Sequence, residues 1–226
     1  MALVTYKDLC IDAVDVSAVE GFWAEALGLT AETLADGEAV LKGDDPSQTI
    51  WINVVPEPKT VKQRVHLDIW AASHEPFAGL EQLSKTGEFP WTTFADPEGG
   101  EFCVFVRDNP PAHKLKDVVV DAVDHAVIAA WWADVWGGTL KHADDGEYSY
   151  IDDIPGAPVE SFDFGTVPEP KTVKNRIHWD VTLNEGVGID DLLVAGATVL
   201  RAQDDEIAWT VMADPEGNEF CAFPPR

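Results

Sequence analysis

Residues 55–69 read VPEPKTVKQRVHLDI, and residues 167–181 read VPEPKTVKNRIHWDV. The copies lie 112 residues apart (167 − 55 = 112), close to half of the 226-residue chain. A second phrase repeats in the same order, FADPEGGEFCVF at 94–105 and MADPEGNEFCAF at 212–223. Two ordered repeats at near-equal spacing mean a tandem duplication. Each unit, of about 110 residues, is long enough to close a core without disulfides or metal.

Outward from the first copy, residues 63–70 alternate. Val65, Leu67 and Ile69 point one way and Arg64, His66, Asp68 and Trp70 the other, which predicts a strand with an apolar and a polar face. Residues 8–15, DLCIDAVD, alternate likewise, with Leu9, Ile11 and Ala13 against Asp8, Cys10, Asp12 and Val14. Val19, Phe22, Trp23, Ala26 and Leu27 then recur at helical spacing and predict a helix over 16–27. Asp15 or Ser17 is placed to cap it and Gly28 to end it. Strands follow over 30–34 and 39–42, around the Asp36-Gly37 turn, and over 49–55. Beyond the repeat a short helix is expected over 76–84, then strands over 91–94 and 101–106. Each half reads as two βαβββ modules, one strand of the second being faint, and the fold class is α+β. The run RDNPPAHKL marks a boundary, giving one domain over 1–108, a linker over 109–115 and a second domain over 116–226.

The 41 acidic and 15 basic residues leave a net charge of −26. That field repels nucleic acid and anionic membranes, so neither is an expected partner; it also favours solubility. Three cysteines without CxxC spacing make neither a disulfide framework nor a zinc ribbon. No leader or long apolar span is evident. The expectation is a cytoplasmic monomer or homodimer with a small-molecule ligand.

Phe22-Trp23 with Leu27-Gly28, residues 55–68 and residues 96–103 recur as Trp131-Trp132, residues 167–180 and residues 214–221. With the βαβββ order, they resemble the vicinal oxygen chelate superfamily of glyoxalase I, extradiol dioxygenases and bleomycin-resistance proteins, and within it the bacterial glyoxalase-like domains. The resemblance implies two tandem domains, each a pair of modules curling mixed sheets around a cavity. It implies metal ligands at the start of the first strand (Asp8, Asp117), on the fourth (near Asn53, Gly165), at the start of the fifth (His66, His178) and on the eighth (Cys103, Cys221). Only the histidines match the family's donors. The cofactor expectation is therefore no metal or, as the lesser reading, a divalent ion on Asp8, His66 and Glu101 or Cys103, with Asp117, His178 and Glu219 matching them in the second half.

Alternation gathers Asp8, Asp12, His66, Asp68, Glu101 and Cys103 on one face in the first half, and Asp117, Asp121, His178, Asp180, Glu219 and Cys221 in the second. Trp51, Asn53 and Trp70 join them as candidate pocket residues. Buried carboxylates need partners, so these line a wet pocket or pair with Arg64 and Arg176. His66 and His178 are the candidate catalytic groups, as base or metal ligand, or else are held by Asp68 or Asp12. Cys103 and Cys221 read as small buried residues, because nearby acids blunt a thiolate. Lys59, Lys62, Lys171 and Lys174 either grip an anionic substrate or offset local acidity in solvent. Asp163 and Thr182 replace Trp51 and Trp70, so the two cavities are expected to differ in polarity, one half keeping a ligand site and the other having become a structural partner. The function expected is a small-molecule enzyme of lyase, isomerase or oxidoreductase type with a His- and carboxylate-lined cavity. The alternative is a non-catalytic, drug-sequestering protein of the bleomycin-resistance kind.

Overall fold

The structure is a computed structural model that describes residues 1–225. The first module runs β1 (Val4–Ala13), α1 (Val16–Leu27), β2 (Thr30–Thr33), β3 (Ala39–Lys42) and β4 (Ile50–Val54). The second holds β5 (Val65–Ala71), β6 (Thr92–Ala95) and β7 (Glu101–Val106). The third repeats the first as β8 (Leu115–Ala122), α2 (His125–Trp136), β9 (Thr139–His142), β10 (Tyr148–Asp152) and β11 (Ser161–Thr166). The fourth is β12 (Ile177–Leu183), α3 (Ile189–Ala195), β13 (Thr198–Arg201), β14 (Thr210–Ala213) and β15 (Glu219–Phe223).

The first helix starts where the Asp15 carboxylate accepts the Ala18 N–H, and ends at Gly28, whose φ of 72° suits a residue without a Cβ. Asp124 and Gly137 do the same for α2. The helix expected over 76–84 is not formed. A single 3₁₀ turn, Glu75–Phe77, stands there, and Gln82 reaches Phe94 as a lone bridge. Gly79 weakens a helix at that point. Only Phe77 is buried, against Phe94 and Phe102, while Leu83 is exposed, so an apolar stripe has nothing to cover.

Eight strands form one sheet in the order β13-β14-β15-β12-β1-β4-β3-β2, and seven form the other in the order β6-β7-β5-β8-β11-β10-β9. The first module thus shares a sheet with the fourth, and the second with the third. Antiparallel pairing of β1 with β12 sets Asp8 opposite Asp180 and Cys10 opposite His178. Pairing of β5 with β8 sets Asp68 opposite Asp117. Each opening strand has its free edge taken by the other half. A cavity face belonging to one half alone, as the sequence suggested, is therefore not what forms.

Within a half, helix aromatics bind the two modules together. Trp23 meets Phe102 of β7 with ring centroids 5.4 Å apart, and Trp132 meets Trp179 and Phe220, each at 5.1 Å. These rings join one apolar core between the sheets. The result is cross-laced: each half packs face to face across the core, and each sheet joins the two halves edge to edge.

Both junctions carry a bulge. In β1 the register shifts between Tyr6 and Asp8, and opposite β5 it shifts between Leu115 and Asp117. Lys7 and Lys116 are the extra residues, and a bulge re-aims such a side chain. No helix among the described residues is long and apolar enough to cross a membrane.

Candidate functional site

The polar face of each sheet, turned away from the helices, collects the predicted residues into two sites. In the first, register lines up Trp51, Cys10 and His178 across β4, β1 and β12, and Asp8, Asp180 and Cys221 across β1, β12 and β15. Asp12, Asn53 and Glu219 flank them. In the second, Asp117 (β8), Asp68 (β5) and Cys103 (β7) form one row. His66, Glu101, Asp121 and Asp163 lie beside it. Every site draws on both halves. The set Asp8, His66 and Glu101 or Cys103 is not assembled, because Asp8 belongs to one sheet and the others to the second. The tryptophans are also redistributed. Trp51 faces the first site and its Nε1 donates to Asp8 Oδ2 at 3.1 Å, whereas Trp70 faces the second and donates to Glu160 Oε1 at 2.9 Å.

Lysines, not arginines, answer the buried carboxylates. Lys7 pairs with Asp8 and Lys116 with Asp117. From the repeated hinge, Lys174 reaches Asp12 and Lys62 reaches Asp121, while Lys171 holds Glu219 at 2.6 Å and Lys59 holds Glu101 at 3.0 Å. Asp12 and Asp121 are only 6% and 9% exposed, and such a partner offsets the desolvation that burial costs. The expected pairs with Arg64 and Arg176 do not form. Arg64 donates to the backbone oxygens of Asp121 and Glu169, and Arg176 to that of Glu57, with Glu98 as its carboxylate partner. The planar guanidinium fork is used to tie the two hinge loops across the halves. Lys59 and Lys171 are mostly buried, so neither is a solvated loop charge.

The two histidines differ. His66 Nε2 lies 3.4 Å from Asp68 Oδ1, an ionic approach longer than a good hydrogen bond. Burial opposes its charge, but Asp68 and Cys103 outweigh burial and lift it to about 10. His178 is buried without such a clamp, which lowers it to about 4, and its Nδ1 has no partner. Burial lifts its strand neighbour Asp180 to about 7, with Lys7 pulling the other way and Asp8 adding to the rise. The Cys10 thiol donates to Asp180 Oδ1 at 3.6 Å. Burial, aided by Asp180, pushes both Cys10 and Cys221 well up, so these thiols stay protonated. In the second site Asp163, bonded by the Ser161 hydroxyl, is raised to about 7 by burial and by Asp117.

Sequence reasoning missed Lys7 and Lys116, and left Cys10 and Asp163 out of the candidate set. Strict alternation puts Lys7 on the face opposite Asp8, and only the bulge brings them together. The one available signal was the Lys-Asp pair repeated at 7–8 and 116–117.

The resemblance implies a divalent metal, and the donors do not fit one. At its positions Gly165 offers no side chain, Asp8 and Asp117 already hold ammonium groups, and buried thiols, Cys103 and Cys221, stand where the resemblance calls for a carboxylate. Among the described residues two donor clusters form, Cys10–His178–Asp180 and His66–Asp68–Cys103, with donor atoms within 4.8 Å of one another. In the first the Cys10 thiol keeps its proton and donates it to the Asp180 carboxylate, and in the second His66 Nε2 already faces Asp68 Oδ1 at 3.4 Å.

Solved structures share this architecture. Glyoxalase I from Zea mays superposes with a TM-score of 0.67 at 14% identity, over 97% of this chain and 92% of that one. A putative dioxygenase from Bacillus subtilis gives 0.62 at 13% identity, over 99% and 86%. The cppA protein from Streptococcus pneumoniae gives 0.51 at 10% identity, over 98% of each. At such identities the likeness is one of fold. No curated protein matches in sequence. The Glyoxalase-like domain family matches residues 8–105 and again residues 117–223. Two matches over nearly the whole length, on two interlaced copies of one βαβββ plan, mean that the chain belongs to the glyoxalase-like domain family and carries its domain twice.

Proposed function

We propose that this protein is a small-molecule enzyme of the lyase or isomerase kind that moves a proton on an oxygenated substrate at the first site. The observation that carries this reading is the inverted pair on β12. Asp180, a carboxyl, is lifted to about 7, while His178, an imidazole, is lowered to about 4. Environments that drive two neighbouring titratable groups past each other are what acid–base sites require. Asp180 would take the proton from a carbon beside a carbonyl. The electron pair would move onto the carbonyl oxygen, within reach of the Lys7 ammonium. On a 2-hydroxycarbonyl compound, return of that proton to the former carbonyl carbon, with the hydroxyl proton passing to the former carbonyl oxygen, completes an isomerisation; departure of a leaving group with its bonding pair from the β-carbon, protonated by Asp180, completes an elimination. His178, neutral near pH 7, would accept a hydrogen bond from a substrate hydroxyl. The maize relative is named glyoxalase I, and at its low identity that name lends fold rather than substrate.

The ligand-holding reading draws on the second site, where His66 is already an ion-paired cation and offers no free base. The two readings part in heavy water. A panel of 2-oxo and 2-hydroxycarbonyl compounds is incubated with the protein, and C–H exchange is followed by NMR. The proposed enzyme exchanges at least one of them, with a rate that rises with pH through about 7. Asp180→Asn should lower that rate on the order of 10²-fold or more, and Asp163→Asn should leave it within a few-fold. A compound that binds the first site and shows no catalysed exchange would contradict the enzyme and leave the holding role.

A further inference from the structure

We infer that Lys7 and Lys116 are the built-in cations of the two sites, each offering its ammonium to the oxygens of a small oxyanion that carries an unsaturated or aromatic group. This deepens the reading of these two faces as ligand sites and rests on it.

Four features converge on these lysines. Each is the extra residue of a bulge at a sheet junction, so it shares the polar face with the aspartate that follows it. Each has donors to spare. An ammonium carries three N–H groups. Lys7 gives one to Asp8 Oδ2 and stands 3.8 Å from Asp180 Oδ2, and Lys116 gives one to Asp117 Oδ2. Both side chains are mostly but not wholly covered, at 15% and 18% exposure. Each also lies over an aromatic surface. Lys7 is 4.2 Å from the Phe223 ring centroid, against which Trp209 stacks at 5.2 Å. Lys116 is 4.8 Å from Phe105 and 5.4 Å from Trp70, and Trp91 leans on Phe105 at 5.4 Å. A flat group resting on the aromatic pair would bring an attached carboxylate or enolate oxygen to the ammonium.

The duplication supplies the fourth feature. Lys7/Lys116, Asp8/Asp117, Trp91/Trp209 and Phe105/Phe223 are identical in the two copies. Around them Cys10 became Val119 or the reverse, and Trp51/Asp163 and Trp70/Thr182 diverged. The ammonium and its aromatic rest are thus common to both sites, while their surroundings are not. The positive charge that the resemblance assigns to a metal is here part of the chain, in keeping with a donor set that does not fit one.

Phenylglyoxylate, a planar aromatic 2-oxo acid, is the probe, titrated by calorimetry and tryptophan fluorescence in EDTA. Wild type should bind it at two sites per chain without metal. Lys7→Met should weaken one site at least tenfold and Lys116→Met the other. Because each change leaves a buried aspartate without its partner, Lys7→Met/Asp8→Asn and Lys116→Met/Asp117→Asn remove the pairs together and should lose the same sites in a folded protein. Binding that needs added Mn²⁺ or Zn²⁺, or that survives in both paired variants, would overturn the inference. Two lysine-dependent sites without proton exchange in heavy water would keep this inference and sink the enzyme. Exchange that survives Lys7→Met would do the opposite.

Discussion

Asp180→Asn should stabilise the protein at pH 8 by roughly 3–4 kcal/mol and leave it unchanged near pH 3. In the unfolded chain an aspartate ionises at about 3.9. In the native state burial holds Asp180 to about 7. Below both values the group is neutral in either state and contributes nothing. Between them the native state keeps a proton that the unfolded state has lost, so stability falls as pH rises, and above 7 the full cost is present. Asn copies the shape of the neutral carboxyl and has no charge to desolvate. His178, lowered to about 4, adds stability as pH rises from 4 toward its ordinary value, but it does so in both proteins and cancels from the difference. Urea unfolding at pH 3, 5 and 8 reads the effect as a gap that opens with pH. A variant less stable than wild type at pH 8 would show that Asp180 is ionised for structural reasons. A gain in stability matched by loss of C–H exchange is the trade expected of a strained catalytic group.

Trp132→Ala should cost about 4–5 kcal/mol, close to the stability of many small domains. The ring is fully buried, 4.3 Å from Trp136 and 5.1 Å from both Trp179 and Phe220. Its Nε1 donates to Asp214 Oδ2 at 3.0 Å, and Asp214 is itself 2% exposed. Removing it opens a cavity between the sheets and takes one partner from a buried carboxylate. Trp131→Ala, whose ring is partly exposed, should cost less than half as much. Equal losses in the two variants, measured as denaturant midpoints, would contradict a core centred on Trp132.

Much of the fold is legible from local signals. Asp15 and Gly28 bound the first helix where spacing placed it, and the alternation in DLCIDAVD and in VHLDI puts apolar and polar residues on opposite faces. Partnering is not a local signal. Strand β1 meets β12, far along the chain, and nothing in its own sequence distinguishes β12 from β5, because the duplication made them nearly the same. That is why candidates that the sequence places together, Asp8 with His66 and Trp51 with Trp70, stand on different sheets. The bulges are hidden for a related reason: an extra residue breaks the period of two that the reading relies on. The differing fates of His66 and His178 were also out of reach. Both sit in the same motif, and the contrast comes from what surrounds each one: the Asp68 clamp on His66, and unrelieved burial for His178.

The first site is made by both halves, with a lysine from one tuning a carboxyl from the other. Lys7 and Asp180 are 173 positions apart (180 − 7 = 173) and lie 3.8 Å apart at their nearest charged atoms. The direct test is a ¹³C titration of the Asp180 side-chain carboxyl in wild type, Lys7→Met and Lys116→Met. A midpoint near 7 is expected in wild type, a higher one in Lys7→Met and no change in Lys116→Met. A midpoint that ignores Lys7, or that follows Lys116 instead, would contradict it.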